Sequence, residues 1–599
     1  MTTPGPAGSP QNTTSSLGSA IGNHQDIHDG EKDAPIADNE QNSKKAPKSP
    51  TDVSDHALLH GFAFYITMSC AIMAAFLIAF TATILGTATP SITSEFNTVE
   101  DVGWYAAAYL IANCGMTPFT GRLYRMFHIK HLFMGFIGVF EIGCIVSGTA
   151  KSSKVLIVGR AISGIGGAGI VTGTTTIIAS TVPLNRRALM MGIGMGVLAV
   201  GQVVGPLIGG ALTTISWRWC FYINLPIGGA VLVALALFVK LPVARLTKSD
   251  KTVLQRILSI DLVGFAIFSA ACVMFLLGLE WGGDAHPWNS PTVLGLLCGG
   301  GVTFLCLAAW FSYKGDAALI PPRLSKDRIN LAIAITGVLQ GGGVFLSSYW
   351  LPIWFQGVKG ASPIASGVMI LPMVISQFVA SVACGAIVQK TGYYLPEVVG
   401  GNALVTVGAA LLSTMTPGTS EGQWIGYQIL IGVGRAFVMQ LLVTAIQTNL
   451  PPEDASLGSS YVSFAQYFGG AVFAAAAKTA FTEAVVPALQ EYAPGVSPSA
   501  LKGAGVTDVR HDIPADLVRG VILAYNKAIT HVFYVQLATA AAALVAGCFV
   551  GWRKVNAKKG RLPPPAKKPA DDVEARGGVV ADDNTNEVPE DLAKKGEKP

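Results

Sequence analysis

From residue 61 onward the chain alternates long apolar runs with short polar connections. About fourteen of these runs approach the roughly 20 residues needed to cross a hydrocarbon core of about 30 Å. The predicted spans are 61–88, 102–121, 132–150, 155–179, 188–213, 219–239, 261–282, 292–313, 330–353, 365–388, 395–415, 424–446, 457–481 and 530–552. Hydrocarbon supplies no partner for a bare amide, so segments of this length and composition are expected to be helices rather than strands. The pattern predicts an all-α polytopic membrane protein. Residues 1–57 are rich in Ser, Pro, Gly and Asn and nearly free of aromatics, and are expected to form a disordered cytoplasmic tail. No basic-then-apolar leader precedes the first run, so that run is expected to direct insertion itself. Residues 553–599 read as a second disordered cytoplasmic tail, whose basic start suits anionic lipid and plain solvent alike. The polar stretch 482–528 is expected to be a long outward loop.

Charge orients the bundle. One set of connections carries Arg122, Arg125 and Lys130, then Arg186 and Arg187, then Lys240, Arg245, Lys248, Lys251 and Arg256, then Lys314, Arg323, Lys326 and Arg328. The alternate set holds only Lys151, Lys154, Arg218 and Lys359. Basic residues favour the cytoplasmic side, so both termini are expected inside. Composition agrees: 51% of residues are hydrophobic and 13% charged, against about 25% charged in soluble domains. The net charge of +5 is too small and dispersed to suggest nucleic acid. The nine cysteines sit singly within apolar runs, with no C-x-x-C, and read as small buried hydrophobes rather than metal ligands or disulfides.

A weak internal repeat sets the architecture. Residues 121–130 (GRLYRMFHIK) close the second span as 385–392 (GAIVQKTG) close the tenth, and Val158-Gly-Arg-Ala161 in the fourth span is echoed by Val433-Gly-Arg-Ala436 in the twelfth. Both pairs link span n to span n+8. That spacing fits two six-helix halves, 58–240 and 330–552, separated by linkers and an extra helix pair in 241–329. Parallel halves are a transporter architecture, with the substrate path between them near the midplane.

At these residues, over roughly 60–550, the chain resembles the major facilitator superfamily. Within it, the resemblance is to the fourteen-span drug:proton antiporters, and above all to fungal efflux pumps for toxins and secondary metabolites. The glycines Gly196, Gly201, Gly205, Gly209 and Gly210 with Pro206 resemble the antiporter motif of the fifth span. Residues 216–228 (SWRWCFYINLPIG), 261–264 (DLVG) and 351–356 (LPIWFQ) resemble the fourteen-span branch. The resemblance implies proton-coupled export of an amphipathic small organic molecule by alternating access. Its partners would be substrate, protons and membrane lipid, with the proton gradient as driving force and no cofactor, metal or covalent chemistry. A monomer in the plasma membrane is expected, the vacuolar membrane being the other location. Uptake or siderophore exchange by the same fold, and a transporter-like sensor, are the alternatives. Two departures stand out. Arg125 occupies a position usually acidic, which puts the usual cytoplasmic gating salt bridge in question, and Thr81 stands where many relatives carry an aspartate.

Candidate residues follow. An arginine inside a span costs several kcal/mol unless it faces a cavity or partner, so Arg160 in the fourth span is a functional candidate. The resemblance gives it a part in proton coupling; a structural tether or a snorkelling side chain is the alternative. Arg435 reads the same way in the second half. Glu141 is the carboxylate nearest the middle of any span, and its depth matches that of Arg160 to within about 5 Å at 1.5 Å per residue. The two are expected to interact, a protonated Glu141 bonded to backbone being the alternative. Gly201, Gly205 and Gly209 recur on one helical face, which allows close helix approach, and Pro206 removes a backbone bond. The gate residues implied by the resemblance are Gly121, Arg122, Arg125, Lys130, Gly385 and Lys390. Thr81, Gln340, Phe345 and Gln440 are the implied cavity residues, with Gln447 a further one. Trp350 and Trp354 read first as an interfacial aromatic belt. Gly164–Gly169 matches G-x-G-x-x-G, but lies inside an apolar span without the preceding strand or following acid that a dinucleotide site needs.

Overall fold

The computed structural model describes residues 61–96, 101–239, 255–256, 259–283, 286–496 and 515–555. The expected tails, 1–57 and most of 553–599, fall outside the described residues. Fourteen long helices account for most of the rest: α1 (Phe62–Phe96), α2 (Val102–Met126), α3 (Ile129–Gly148), α4 (Ser153–Thr181), α5 (Leu184–Thr213), α6 (Asn224–Phe238), α7 (Leu262–Trp281), α8 (Pro291–Lys314), α9 (Arg328–Gly357), α10 (Leu371–Thr391), α11 (Leu395–Ser413), α12 (Glu421–Asn449), α13 (Ala455–Tyr492) and α14 (Ala515–Gly547). Among the described residues, 13 segments are long and apolar enough to cross a membrane. The exception is α2, whose polar side chains Asn113, Thr117, Thr120 and Arg122 are buried among neighbouring helices. Helix ends follow local chemistry. Asp327 accepts from the amides of Ile329 (2.9 Å) and Asn330 (3.0 Å) to start α9. Gly392, at φ 76°, ends α10 in the left-handed region that favours glycine.

Helices α1–α6 and α9–α14 correspond to the two halves expected from the repeat, and they meet where α5 packs on α10 and α2 on α13. The extra pair α7–α8 packs on itself, and α7 also rests on α2 and α13, beside that seam. The halves meet unevenly along their length. At the end of the bundle carrying Arg122 and Arg125, one continuous buried cluster joins Met68, Ile177 and Met191 of the first half to Val388, Leu441 and Leu457 of the second. At the opposite end the large buried clusters are separate, Phe80, Ile84, Leu156 and Phe221 in one half and Leu346, Trp354, Trp424 and Tyr525 in the other, and a small cluster of Ala199 and Val203 of α5 with Val374 of α10 bridges them. The halves are zipped at the basic end.

Several expectations are corrected. The outward loop 482–528 is shorter than expected, because α13 runs on to Tyr492 and α14 begins at Ala515. The sixth span runs from Trp219 to Phe238 as expected, with a turn at Ile223 between a four-residue helix, Trp219–Tyr222, and α6. Trp350 and Trp354 are not a lipid-facing belt; both are buried in the second half, and Trp354 Nε1 donates to Asn526 Oδ1 at 2.8 Å. Six cysteines are buried, but Cys298, Cys306 and Cys548 are exposed. An apolar run reveals that a residue sits in a helix, not which face of that helix meets protein.

Candidate functional site: a closed gate and buried charges

The basic end is held by an ion-pair network that spans both halves. Arg125, in the last turn of α2, pairs with Asp454 at 3.1 Å, just before α13. Arg323, from the short helix ahead of α9, meets Asp454 at 2.8 Å and Asp316 at 3.1 Å. Asp454 is almost fully buried, with a side chain 3% exposed, so it needs these cations. Arg122 clamps the strap after α8, donating to the carbonyls of Asp316 (2.8 Å), Leu319 (3.2 Å) and Ala318. Asp261, opening α7, holds the other side of that strap through Leu319 N (3.2 Å) and Trp310 Nε1 (2.9 Å). Close packing finishes the seal. A Cβ at Gly121 would overlap Ser460, and one at Gly385 would lie 2.6 Å from Leu189 Cα. A salt bridge does form here, with Arg125 on α2 as the cation and Asp454 ahead of α13 as the acid. Asp454 escaped the sequence reading; its signal was a lone carboxylate pair, Glu453–Asp454, among otherwise basic connections. Lys130 stands apart, donating to Ala236 O at 3.0 Å, and Lys390 is exposed.

The fifth helix explains its glycines. Cβ atoms at Gly205 and Gly209 would overlap Thr83 and Thr87 of α1, and one at Gly201 would lie 3.1 Å from Phe76 O. This bare face lets α1 and α5 touch backbone to backbone. Gly210 points elsewhere, where a Cβ would lie 3.9 Å from Ile364, and Pro206 is accommodated inside a continuous α5.

Arg160 and Arg435 are each 1% exposed. Arg160 donates from Nε to Tyr105 O at 2.9 Å, lies 4.6 Å from the Tyr109 ring centroid, and leaves one terminal nitrogen without a partner. Arg435 reaches only Met373 Sδ and Ser348 Oγ, each at 3.3 Å, and its Nε is unpartnered. Among the described residues, neither guanidinium meets a carboxylate. Glu141 is 7% exposed, and neither carboxyl oxygen has a hydrogen-bond partner. It faces α6, where a Cβ at Gly228 would overlap its Oε1. The expected Glu141–Arg160 contact is absent: matched depth on adjacent helices does not give matched azimuth.

The expected cavity residues are dispersed among helix contacts. Thr81 donates to Asn224 Oδ1 of α6 at 2.9 Å, and Gln340 donates to Asn402 of α11. Gln440 donates to Ser381 O of α10 at 3.0 Å, and Gln447 to Ser459 Oγ of α13 at 2.8 Å. Phe345 is half-buried and stacked on Tyr349, centroids 5.4 Å apart. The glycines of the G-x-G-x-x-G match pack against α2 and α3. A groove of about 650 Å³ between α10 and α12, lined by Val368, Ile375, Val379, Trp424 and Ile429, contains none of these residues.

The chain and its fold have counterparts. Residues 71–474 match the model of the Major Facilitator Superfamily. The chain belongs to the major facilitator superfamily. The transporter pigP of Monascus ruber is 43% identical over 540 residues, covering 90% of this chain and 94% of that protein. The efflux pump mlcE of Penicillium citrinum is 40% identical over 495 residues, covering 81% and 89%. Among solved structures, the proton:xylose symporter XylE bound to 6-bromo-6-deoxy-D-glucose superposes with a TM-score of 0.53 at 13% identity, covering 82% of this chain and 97% of that one. This superfamily member is therefore a multi-pass membrane transporter, related to fungal transporters and efflux pumps, and family and fold point away from an enzyme.

Proposed function

We propose that this chain is a proton-coupled exporter of amphipathic secondary metabolites or similar toxic compounds, working by alternating access with the basic end in the cytoplasm. The observation that carries the reading is the uneven contact between halves. One large hydrophobic cluster and the Arg125–Asp454 pair close the basic end, while toward the other end the large clusters remain separate and a small α5–α10 cluster bridges them. A carrier whose cytoplasmic gate is shut and whose outer side is held by fewer contacts has this distribution. Relatives named efflux pumps support outward transport. The fungal plasma membrane is the location that suits such a role, with both termini inside. Glu141, buried without a partner, supplies a carboxyl group able to take up and release a proton as its surroundings change. Arg160 and Arg435 keep their charge throughout, since guanidinium does not deprotonate in proteins.

The test is efflux from cells expressing the chain, with and without a protonophore, using a panel of hydrophobic fluorescent compounds. Export that the protonophore abolishes supports the reading. Export that survives it points to another driving force. Glu141→Gln is expected to lower proton-dependent export at least about tenfold, as loss of a proton-carrying group does; unaltered export would remove Glu141 from the mechanism.

A further inference from the structure

Helices α2 and α4 approach closely over Gly164 and Gly167. A Cβ at Gly167 would sit 2.7 Å from Tyr109 Oη and 3.1 Å from Asn113 Nδ2, so these two polar atoms lie side by side over bare α4 backbone. Both are buried; the Asn113 amide interacts with the Tyr109 hydroxyl, and neither meets a partner outside the pair. The other atom of the Asn113 amide, Oδ1, already accepts from Thr117 Oγ1 at 3.2 Å. Arg160 lies 4.6 Å from the Tyr109 ring centroid and keeps one terminal nitrogen unpaired. The group thus presents three unused donors and a fixed positive charge. Its nearest buried carboxylate in depth, Glu141, is turned to α6 instead. From the second half, Tyr467 of α13 lies near enough to Tyr109 to interact with it electrostatically.

Each buried donor left without an acceptor costs about 1–3 kcal/mol, and an uncompensated buried charge more. A group with surplus donors and one cation is complementary to a small planar monoanion. Guanidinium suits a carboxylate through paired N–H donors, and charge-assisted bonds are the strong ones. We propose that Arg160, Tyr109 and Asn113 form an anion subsite that takes the carboxylate of an amphipathic organic acid during transport. The inference rests on the transporter reading and names the substrate class. Because α13 packs against both α2 and α4, the subsite lies on the seam between halves, where an opening movement exposes it and a closing one covers it.

The probes are 1-pyrenebutyrate and its methyl ester, bound to the purified full chain in lipid nanodiscs and read by quenching of tryptophan fluorescence. Partition into lipid is common to all variants, so the readout is the change in acid-to-ester affinity ratio. Arg160→Gln is expected to lower that ratio about tenfold or more and Tyr109→Phe about threefold, as loss of charge-assisted bonds implies. Arg160→Lys should fall between wild type and Arg160→Gln. Tyr109→Phe removes only a hydroxyl whose neighbour is the Asn113 amide, so it tests the subsite even if the arginine variants fail to fold. A ratio unchanged in the folded variants, or no saturable binding of the acid, overturns the proposal. Gradient-driven movement of the ester in vesicles of the same protein reads the transporter function separately. Ester movement with an unchanged ratio removes the anion subsite alone. A shifted ratio without movement of either probe upholds the subsite and overturns the transporter reading.

Discussion

At the scale of single residues, the gate turns on Asp454. It sits between Arg125 and Arg323, at 3.1 and 2.8 Å, and is almost fully buried. Removing Arg125 leaves one cation; inverting it to aspartate sets two carboxylates together at low solvent exposure, a loss of several kcal/mol in the closed state. Arg125→Asp is therefore expected to cut transport about tenfold or more, and Arg125→Asp with Asp454→Arg to recover part of it, since the new arginine also faces Arg323. Initial rates at equal membrane expression measure this; a double variant as impaired as the single one contradicts the pairing. The opposite end carries a second pair. Glu95, beyond the spanning part of α1, accepts from Arg218 at 2.7 and 2.9 Å and from Trp217 Nε1 at 2.7 Å. The Arg218 hydrogen bonds hold the Glu95 carboxyl below the ordinary glutamate range. A depressed folded-state value means that the stabilisation is present above the unfolded value and fades as pH falls through the folded one. Glu95 is exposed and Arg218 half-buried at the surface, so the effect is small. Thermal unfolding of Glu95→Gln should show a shallower loss of Tm on acidification than wild type. Buried charges were the legible residues here, because an arginine within an apolar run has few explanations. The expected cavity residues were not, since Thr81 and Gln340 differ from true cavity residues only in the direction a helix turns them.

Among helices, α1 against α5 is the contact where packing and movement meet. Gly205 lies so close to Thr83 and the carbonyl of Phe80 that no side chain fits without displacing backbone. Gly205→Leu should reduce transport about tenfold or more while leaving membrane insertion intact, since overpacking at about 1–3 kcal/mol acts on the fit rather than on the span. Gly194→Ala, on the same helix with its nearest neighbour 4.0 Å away, should have little effect. Loss of transport in both variants would mean that α5 tolerates no change anywhere, and the face-specific account would fail. Helix existence was legible throughout, because a continuous apolar run of this length has one solution in lipid. Helix ends in polar sequence were not. Residues 482–492 carry Glu483 and Glu491 yet continue α13, because helix caps and neighbours, not hydropathy, decide where a long helix stops.

For the whole molecule, the repeat in the sequence suggests two halves, and α7 and α8 pack on each other between them in sequence. What no single span could reveal is the relation between halves. The zipped basic end follows from contacts between residues hundreds of positions apart, and the proposed alternating access requires a partner state with that end open. Locking the gate should arrest the cycle. With Cys298, Cys306 and Cys548 replaced to remove exposed thiols, Arg125→Cys with Asp454→Cys bridged by a thiol-cleavable bismaleimide should lose transport and regain it on cleavage. The most direct measurement is substrate uptake by inside-out proteoliposomes of the purified chain under an imposed pH gradient, with lumenal pH recorded in parallel. The account predicts that an acidic lumen drives accumulation, that a protonophore abolishes it, and that adding substrate raises lumenal pH as protons leave in exchange. Accumulation indifferent to the gradient, or no proton movement in response to substrate, would contradict it.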